Sequence, residues 1–200
     1  MALQNPYNYE IILASGSPRR QQFLKDLEIP FRIQKFYVEE SYPQHLKGAD
    51  IAQHITTLKA DPFRAIIKPQ QLVITADTIV WHQERYLGKP QSEKEAFEML
   101  TSLSGATHEV ITAVGFLTDQ DWEVITARTE VTFNSLSSPE IEAYIATGFP
   151  MDKAGAYGIQ DRIGTIGIKT INGSYTNVVG LPVAQFYTKL VNKLSQKPTQ

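Results

Sequence analysis

Short apolar runs and amphipathic stretches follow one another along this chain. The apolar run at residues 10–14 leads into small residues and then, at 19–29, into apolar residues at helical spacing, which predicts a strand, a loop and a helix. Ser17 before Pro18 predicts where that helix begins, because serine caps helix N-termini and proline is tolerated at the first helical position.

The same alternation continues through the rest of the chain. A strand is predicted at 31–36, and a helix at 48–59 that Pro62 ends or kinks. A buried strand at 72–76 follows; it delivers Asp77 at its end, and the chain continues extended to Trp81. The later elements are a helix from a Ser92/Glu95 capping box to Leu103, a hairpin of 108–118 and 122–133, a helix from Ser137 or Ser138 to Gly148, and a last helix at 182–194. This order predicts an α/β fold with a mixed twisted sheet flanked by helices.

Composition narrows the class of protein further. A chain of 200 residues with 42% hydrophobic and 20% charged residues is typical of one globular domain, or of one domain with two lobes. The absence of cysteine excludes disulfides, thiolate metal sites and cysteine nucleophiles. A net charge of −2 gives no positive electrostatic field strong enough to bind nucleic acid, so we expect no nucleic-acid partner. Neither a signal-peptide pattern nor a membrane-length apolar run occurs, so we expect a cytoplasmic protein without a membrane partner.

The loop after the first predicted strand is the first candidate site. Small residues at 15–17 lead to a helix N-terminus, whose unpaired N–H groups attract anions. Arg19 and Arg20 place cations in the first turn, where they oppose the helix dipole unless something negative compensates them. The pattern therefore indicates either an anion site or a solvated basic turn that pairs with nearby acidic residues.

Isolated charged residues give weaker signals. Asp77, at the end of an apolar strand, fits a metal ligand or a general base, and equally a residue that caps a turn. Lys89 lies between Gly88 and Pro90, where a solvated lysine is the more common explanation. The acidic pair Glu39-Glu40 is either solvated or shares a cation with Asp77.

Glycine-rich blocks at 152–160, 172–175 and 179–182 indicate either close approach of the backbone to a ligand or a tight structural loop. The histidines are too widely spaced to predict a histidine metal site, and we expect surface or core positions for His45, His54, His82 and His108. Together, the cations and carboxylates fit a metal-bound polyphosphate; they are Arg19, Arg20, Lys59, Lys89, Lys153, Asp77 and Glu39 or Glu40.

Six ordered motifs closely resemble the Maf family over about Ile11 to Leu190. They are LASGSPRR at 13–20, ADTIV at 76–80, GKP at 88–90, LSGATHEVITAV at 103–114, DKAGAYGIQ at 152–160 and INGSYTNVVGLP at 171–182. The resemblance implies one domain over 1–200, with frayed ends at 1–9 and 195–200, and two α/β lobes around a central cleft. It also implies metal-dependent hydrolysis of a nucleoside triphosphate to the monophosphate and pyrophosphate, with Mg²⁺, Mn²⁺ or Co²⁺. A homodimer and a link to septum formation and division arrest are further family-level expectations.

The resemblance also implies roles for individual residues. It places Asp77 in the catalytic base position and assigns substrate choice to Arg20, Thr78 and Gln160. The residues expected to bind the triphosphate are Ser15, Arg19, Lys59, Lys89 and Lys153, and those expected to bind the metal are Asp77 and Glu40. An amide such as Gln160 suits a pyrimidine edge, because it offers both an acceptor and donors. The sequence departs from the family pattern around Lys59, at Phe149 and at Asp161-Arg162, where a glycine is usual.

Block 152–160 resembles the branch of the family that acts on dTTP and UTP. Two alternatives remain beside this prediction. One is a pyrophosphatase for 7-methyl-GTP, against which the same block argues. The other is a nucleotide-sensing module for division control with little turnover. Asp77 argues against that module, because a carboxylate repels a polyanion unless a metal intervenes.

Overall fold

The computed structural model describes residues 3–197, in which strands and helices alternate. In chain order the elements are β1 (Glu10–Leu13), α1 (Pro18–Asp26), β2 (Arg32–Ile33), α2 (Ala49–Arg64), β3 (Gln71–His82), β4 (Arg85–Leu87), α3 (Glu93–Leu103), β5 (Thr107–Leu117), β6 (Trp122–Phe133), α4 (Ser138–Ile145), α5 (Arg162–Gly167), β7 (Ile168–Asn172), α6 (Tyr175–Val179) and α7 (Val183–Leu194). Two 3₁₀ turns lie at Phe149–Asp152 and Ala154–Ala156.

The strands form a seven-stranded mixed sheet of order β2-β1-β3-β5-β6-β7, and β4 pairs with β3. Strand β1 is parallel to β2 and to β3, whereas β4 is antiparallel to β3 and β7 is antiparallel to β6. The predicted fold class, a mixed sheet flanked by helices, is confirmed. The β5–β6 hairpin is also confirmed, as are the helix starts after Ser17, Ser92 and Ser137.

The chain divides into two compact units. Of the described residues, the first unit holds 3–77, 112–126 and 180–197, and the second holds 78–111 and 127–179. Strands β3, β5 and β6 each pass from one unit to the other.

The core of the first unit lies on both faces of its strands. Ile11 and Leu13 point into one cluster that includes residues of α1 and α7, and Ile12 and Ala14 point into another that includes Ala60 and Phe63 of α2. This alternation follows from the period of two in a β-strand, which sends successive side chains to opposite faces. Helices therefore cover both faces of these strands.

The second unit has a core of its own, built from α3, α4, β6 and the glycine-rich segment. That segment, residues 152–179, is ordered by close contacts within the protein. A Cβ added to Gly155 would lie 2.9 Å from Val80 Cγ2, so glycine is needed there for the backbone to approach β3. The segment also contains α5, β7 and α6, which the sequence pattern did not predict.

Asp77 lies within β3, so the prediction that it stands at a strand terminus is wrong, whereas the prediction that the chain continues extended to Trp81 is confirmed. The β-branched residues that follow it continue the strand, and Val80 pairs with Leu87 of β4. The parallel pairing of β3 with β1 nevertheless stops at Ile74. Asp77 therefore follows the carboxyl end of the parallel ladder, although it does not end the strand.

Two other segments differ from simple sequence expectations. Helix α2 continues through Pro62 to Arg64, so the proline lies in its last turn, where little helix remains to be disrupted. Near the N-terminus, Leu3 and Tyr7 pack against the core, and Asn5 hydrogen-bonds both the N–H and the carbonyl of Tyr9. Within residues 3–197, no helix combines the length and apolar character that crossing a bilayer requires.

Candidate active site

The loop between β1 and α1 is closed by two serine hydroxyls. Ser17 Oγ caps α1 by accepting from the Arg20 N–H at 3.5 Å. Ser15 is buried, and its Oγ accepts from the Ser17 N–H at 3.2 Å and from Arg20 Nη1 at 3.3 Å. The predicted anion loop is therefore a defined turn with its hydroxyls already oriented.

Arg20 fastens this loop to the backbone of two other segments. Its Nε donates to the Gly180 carbonyl at 2.9 Å, and its Nη1 donates to the Ala76 carbonyl at 2.9 Å. Burial lowers the pKa of Arg20, and the charge of Asp77 opposes that shift. Because Ala76 directly precedes Asp77, Arg20 holds the stretch of β3 that carries the carboxylate.

Asp77 forms a buried ion pair with Lys59. Lys59 Nζ lies 2.7 Å from Asp77 Oδ1 and 3.0 Å from Glu40 Oε1, so one ammonium joins two carboxylates. The Asp77 side chain is only 10% exposed, and its Oδ2 is buried with no hydrogen-bond partner among the described residues. One oxygen of the carboxylate is thus held in place while the other remains unpaired.

The environment of Asp77 suits a proton acceptor. Burial raises the pKa of its carboxyl above the ordinary range, and the charges of Lys59 and Arg20 oppose that rise. A carboxylate is a better base when its pKa approaches the working pH, provided that it stays ionised. The two cations favour the ionised form, and the burial raises the basicity.

A further cation near the loop was missed in the sequence. Lys35 Nζ lies 3.1 Å from the position that a Cβ on Gly16 would occupy. The strand register explains this placement, because β2 runs parallel to β1 with Leu13 opposite Ile33, and Lys35 therefore lies beside the loop that follows β1. The predicted strand at 31–36 was a signal for it, although only Arg32–Ile33 form the strand.

The second unit carries the other residues that the resemblance implies. Thr78 follows Asp77 in β3 and is half-buried, whereas Lys89 and Gln160 are exposed. The turn of Lys89 is attached to the glycine-rich segment, since the Gly155 N–H donates to the Gly88 carbonyl at 3.0 Å.

Lys153 is already engaged within the second unit. Its Nζ donates to the Phe149 carbonyl and to Asp152 Oδ1, both at 2.6 Å, and lies 3.5 Å from Asp161 Oδ2. The Lys153 side chain is only 10% exposed. Contact with a phosphate would therefore require this ammonium to exchange at least one of these acceptors.

The histidines do not contribute a metal site. His108 is buried and its Nε2 lies 2.8 Å from the Tyr157 hydroxyl, and burial lowers its pKa to about 3, so it is a neutral core residue. Among residues 3–197, no group of three or more His, Asp or Glu side chains lies close enough together to hold a metal ion by protein ligands alone.

The fold has a counterpart among solved structures. The Staphylococcus aureus Ham1 protein matches with a TM-score of 0.50 at 16% identity, over 92% of this chain and 99% of that one. Fold and site together define an α/β protein with a buried carboxylate–ammonium pair beside a serine- and arginine-containing loop.

The sequence comparisons are more specific. The family described as Maf-like protein matches residues 10–193, and the chain belongs to this family. A protein of Flavobacterium johnsoniae named dTTP/UTP pyrophosphatase is 50% identical over 91% of this chain and 94% of its own length. A protein of Bacteroides thetaiotaomicron with the same name is 47% identical over 94% of this chain and 98% of its own.

Proposed function

We propose that this chain is a nucleoside triphosphate pyrophosphatase that hydrolyses dTTP and UTP to the monophosphate and pyrophosphate. Relatives that bear this name are similar over nearly the whole chain. The observation that carries the proposal is Asp77, a buried carboxylate with one oxygen held by Lys59 and the other unpaired. The reaction would remove unwanted or modified nucleotides, and we expect it to take place in the cytoplasm.

The residues of the first unit suggest how the reaction proceeds. Asp77 accepts a proton from the water whose oxygen attacks the α-phosphorus, and the bond from that phosphorus to the bridging oxygen of pyrophosphate breaks. Lys59 keeps Asp77 ionised before the attack. Arg19 and Arg20, next to the Ser15 loop, stabilise the negative charge that develops on the phosphate oxygens.

We further propose that a divalent cation, Mg²⁺, Mn²⁺ or Co²⁺, binds at this site. The unpaired, buried Oδ2 of Asp77 has two lone pairs, so it could bind such an ion and still accept the proton of the water, and Glu40 is the second carboxylate of the group. Mg²⁺ is often held by one or two carboxylates together with substrate phosphates, so a larger protein cluster is not required. When bound, the ion would neutralise phosphate charge and favour ionisation of the attacking water.

The remaining roles are proposed from the family resemblance. Gln160 and Thr78 contact the base, because a side-chain amide can match the carbonyl and N–H groups of uracil or thymine. Lys89 and Lys153 bind the triphosphate, together with Ser15, Arg19 and Lys59. Assembly into a homodimer remains an expectation for this chain.

The test is pyrophosphate release from dTTP, UTP, CTP, GTP and 7-methyl-GTP, each with Mg²⁺, Mn²⁺, Co²⁺ or EDTA. We expect metal-dependent release confined to dTTP and UTP. In Asp77→Asn, turnover should fall by about 10²–10⁴-fold, the range typical of a general base. Asp26→Asn, an exposed change on α1, is the matched control.

Two results would count against the proposal. Near-full turnover in Asp77→Asn, with folding equal to the parent by circular dichroism, would remove Asp77 from the base role. Nucleotide binding without release from any substrate would indicate the sensing module instead.

A further inference from the structure

The turn that carries Gln160 is fastened at both ends to one hydroxyl group. Residues 158–161 form a turn closed by the Asp161 N–H, which donates to the Gly158 carbonyl at 3.0 Å. The Tyr144 hydroxyl of α4 donates to Asp161 Oδ2 at 2.6 Å and accepts from the Gly158 N–H at 3.2 Å. The first and last residues of the turn thus share a partner, and Gln160 lies between them.

Asp161 is the residue that makes this arrangement possible. It occupies the N-cap position of α5, but its side chain makes no cap hydrogen bond. Its carboxylate instead contacts Tyr144, and Lys153 Nζ lies 3.5 Å away and supplies the compensating charge. A residue without a carboxylate at this position would leave the Tyr144 hydroxyl without this acceptor.

The turn is also packed too tightly to shift without breaking these contacts. A Cβ on Gly158 would lie 2.5 Å from Asp161 Oδ2 and 2.8 Å from Lys153 Cε. A Cβ on Gly164 of α5 would collide with the Ile159 carbonyl. Tyr144 itself is buried, and burial together with the Asp161 charge raises its pKa, so the hydroxyl stays protonated and able to donate.

We propose that Tyr144, acting through Asp161, is a positioning residue that orients Gln160 and so sets the preference for thymine and uracil over cytosine. This inference rests on the proposed function, in which Gln160 reads the base. An amide discriminates between the two pyrimidine edges only if its donor and acceptor are held in place, because a freely rotating amide can satisfy either edge. The hydroxyl restrains the backbone on both sides of Gln160 and so fixes the point from which the exposed amide reaches the base.

A double-mutant cycle tests this role. Tyr144→Phe keeps the buried ring and removes only the hydroxyl, and Gln160→Ala removes the amide. The measured quantity is the ratio of kcat/KM for dTTP to that for dCTP. We expect Tyr144→Phe to lower this ratio by about tenfold, corresponding to one or two lost hydrogen bonds. In the Gln160→Ala background the same change should alter the ratio by less than about twofold, because residues that act as a unit are not additive.

Two further variants separate positioning from general destabilisation. Tyr175→Phe makes the same change at an exposed tyrosine of the second unit and should leave the ratio unchanged. Asp161→Asn keeps an oxygen acceptor for Tyr144 and should retain more of the preference than Asp161→Ala.

An equal loss of preference in both backgrounds would overturn the inference, as would an unchanged ratio in Tyr144→Phe. The same cycle is measured as dTTP and dCTP binding by calorimetry, so a parent chain that binds nucleotide without turnover still tests it. In that case the proposed function fails while the positioning role is judged on binding alone. A parent chain that binds neither nucleotide would overturn both.

Discussion

Replacement of Lys59 by methionine removes the cation that is hydrogen-bonded to Asp77 and retains a side chain of similar length. Lys59 Nζ lies 2.7 Å from Asp77 Oδ1, and its charge opposes the burial that raises the pKa of this carboxyl. An adjacent opposite charge lowers a carboxyl pKa by about 1–3 units. Without Lys59 the pKa of Asp77 should rise further, because burial is then opposed mainly by Arg20.

The sign of the effect on activity follows from the proposed role of Asp77 as a base. Only the ionised carboxylate can accept a proton, so activity is present above its pKa and is lost as the pH falls through it. A higher pKa therefore moves the acidic limb of kcat/KM to higher pH, by about 1–3 units in Lys59→Met. Below the new limb, each unit of displacement lowers activity about tenfold.

The assay is pyrophosphate release from dTTP across the pH range at one fixed free metal concentration. Lys59→Arg keeps the positive charge and should leave the limb close to that of the parent. Lys94→Met removes an exposed lysine of α3 that only faces Glu98 at 3.9 Å, and it controls for the loss of one charge. The height of the alkaline plateau separately reports any contribution of Lys59 to phosphate binding.

A limb that stays in place, or moves to lower pH, in Lys59→Met would refute this reasoning. It would mean either that Asp77 is not the group whose ionisation limits activity or that Lys59 does not control that ionisation. A lower plateau with an unmoved limb would assign Lys59 to the phosphate alone.

Two predictions concern stability. Gly115→Ala should destabilise the fold by about 1–3 kcal/mol, because the added Cβ would collide with the Trp122 ring. In urea unfolding it should cost more than Gly148→Ala, where the added Cβ meets no atom within 4 Å and the only cost is that of a left-handed φ of 73°; an equal cost would contradict the packing argument. Two lysines of α7 lower the pKa of Glu123 from 4.5 to about 2, so its contribution to stability is present above pH 4.5 and is lost as the pH falls toward 2. Thermal unfolding of Glu123→Gln should therefore depend less on pH in this range, and an unchanged dependence would show that this ion pair does not stabilise the fold.

Signals that act within one helical turn were readable from the sequence. Ser17 caps α1 and Ser92 caps α3, and in both cases the capping hydroxyl accepts an N–H three residues further on. Such contacts depend on neighbouring residues alone, so the pattern of a serine before a proline or a glutamate predicts them directly.

Features set by distant pairing were not readable. The sequence predicted an extended chain past Asp77 but not its partner strand β4, because the three residues of β4 give no strong strand pattern. Helix α5 and strand β7 contain few core residues and are positioned by contacts of glycines such as Gly164 and Gly167 with neighbouring segments. These contacts follow from the fold and leave no periodic trace in the sequence.

The same distinction applies to the candidate site. The sequence nominated Lys59, Glu40 and Asp77 through the family resemblance, and the structure brings these three side chains into contact. The sequence did not predict a role for Lys35, which lies beside the loop at Gly16 because of the register of β2 on β1.

Cations that the family resemblance implies for the substrate already have acceptors, each within its own unit of the protein. Arg20 donates to two backbone carbonyls, Lys59 joins two carboxylates and Lys153 contacts a carbonyl and two carboxylates. A triphosphate that recruits such a cation exchanges one acceptor for another, so the net electrostatic gain is smaller than for an unengaged charge. Exposed Lys35 and Lys89 have less to give up, but exposed charges are screened by water. If the proposed triphosphate binds these residues, much of its charge would have to be met by a divalent cation, so the arrangement of lysines and arginines supports the proposed metal dependence.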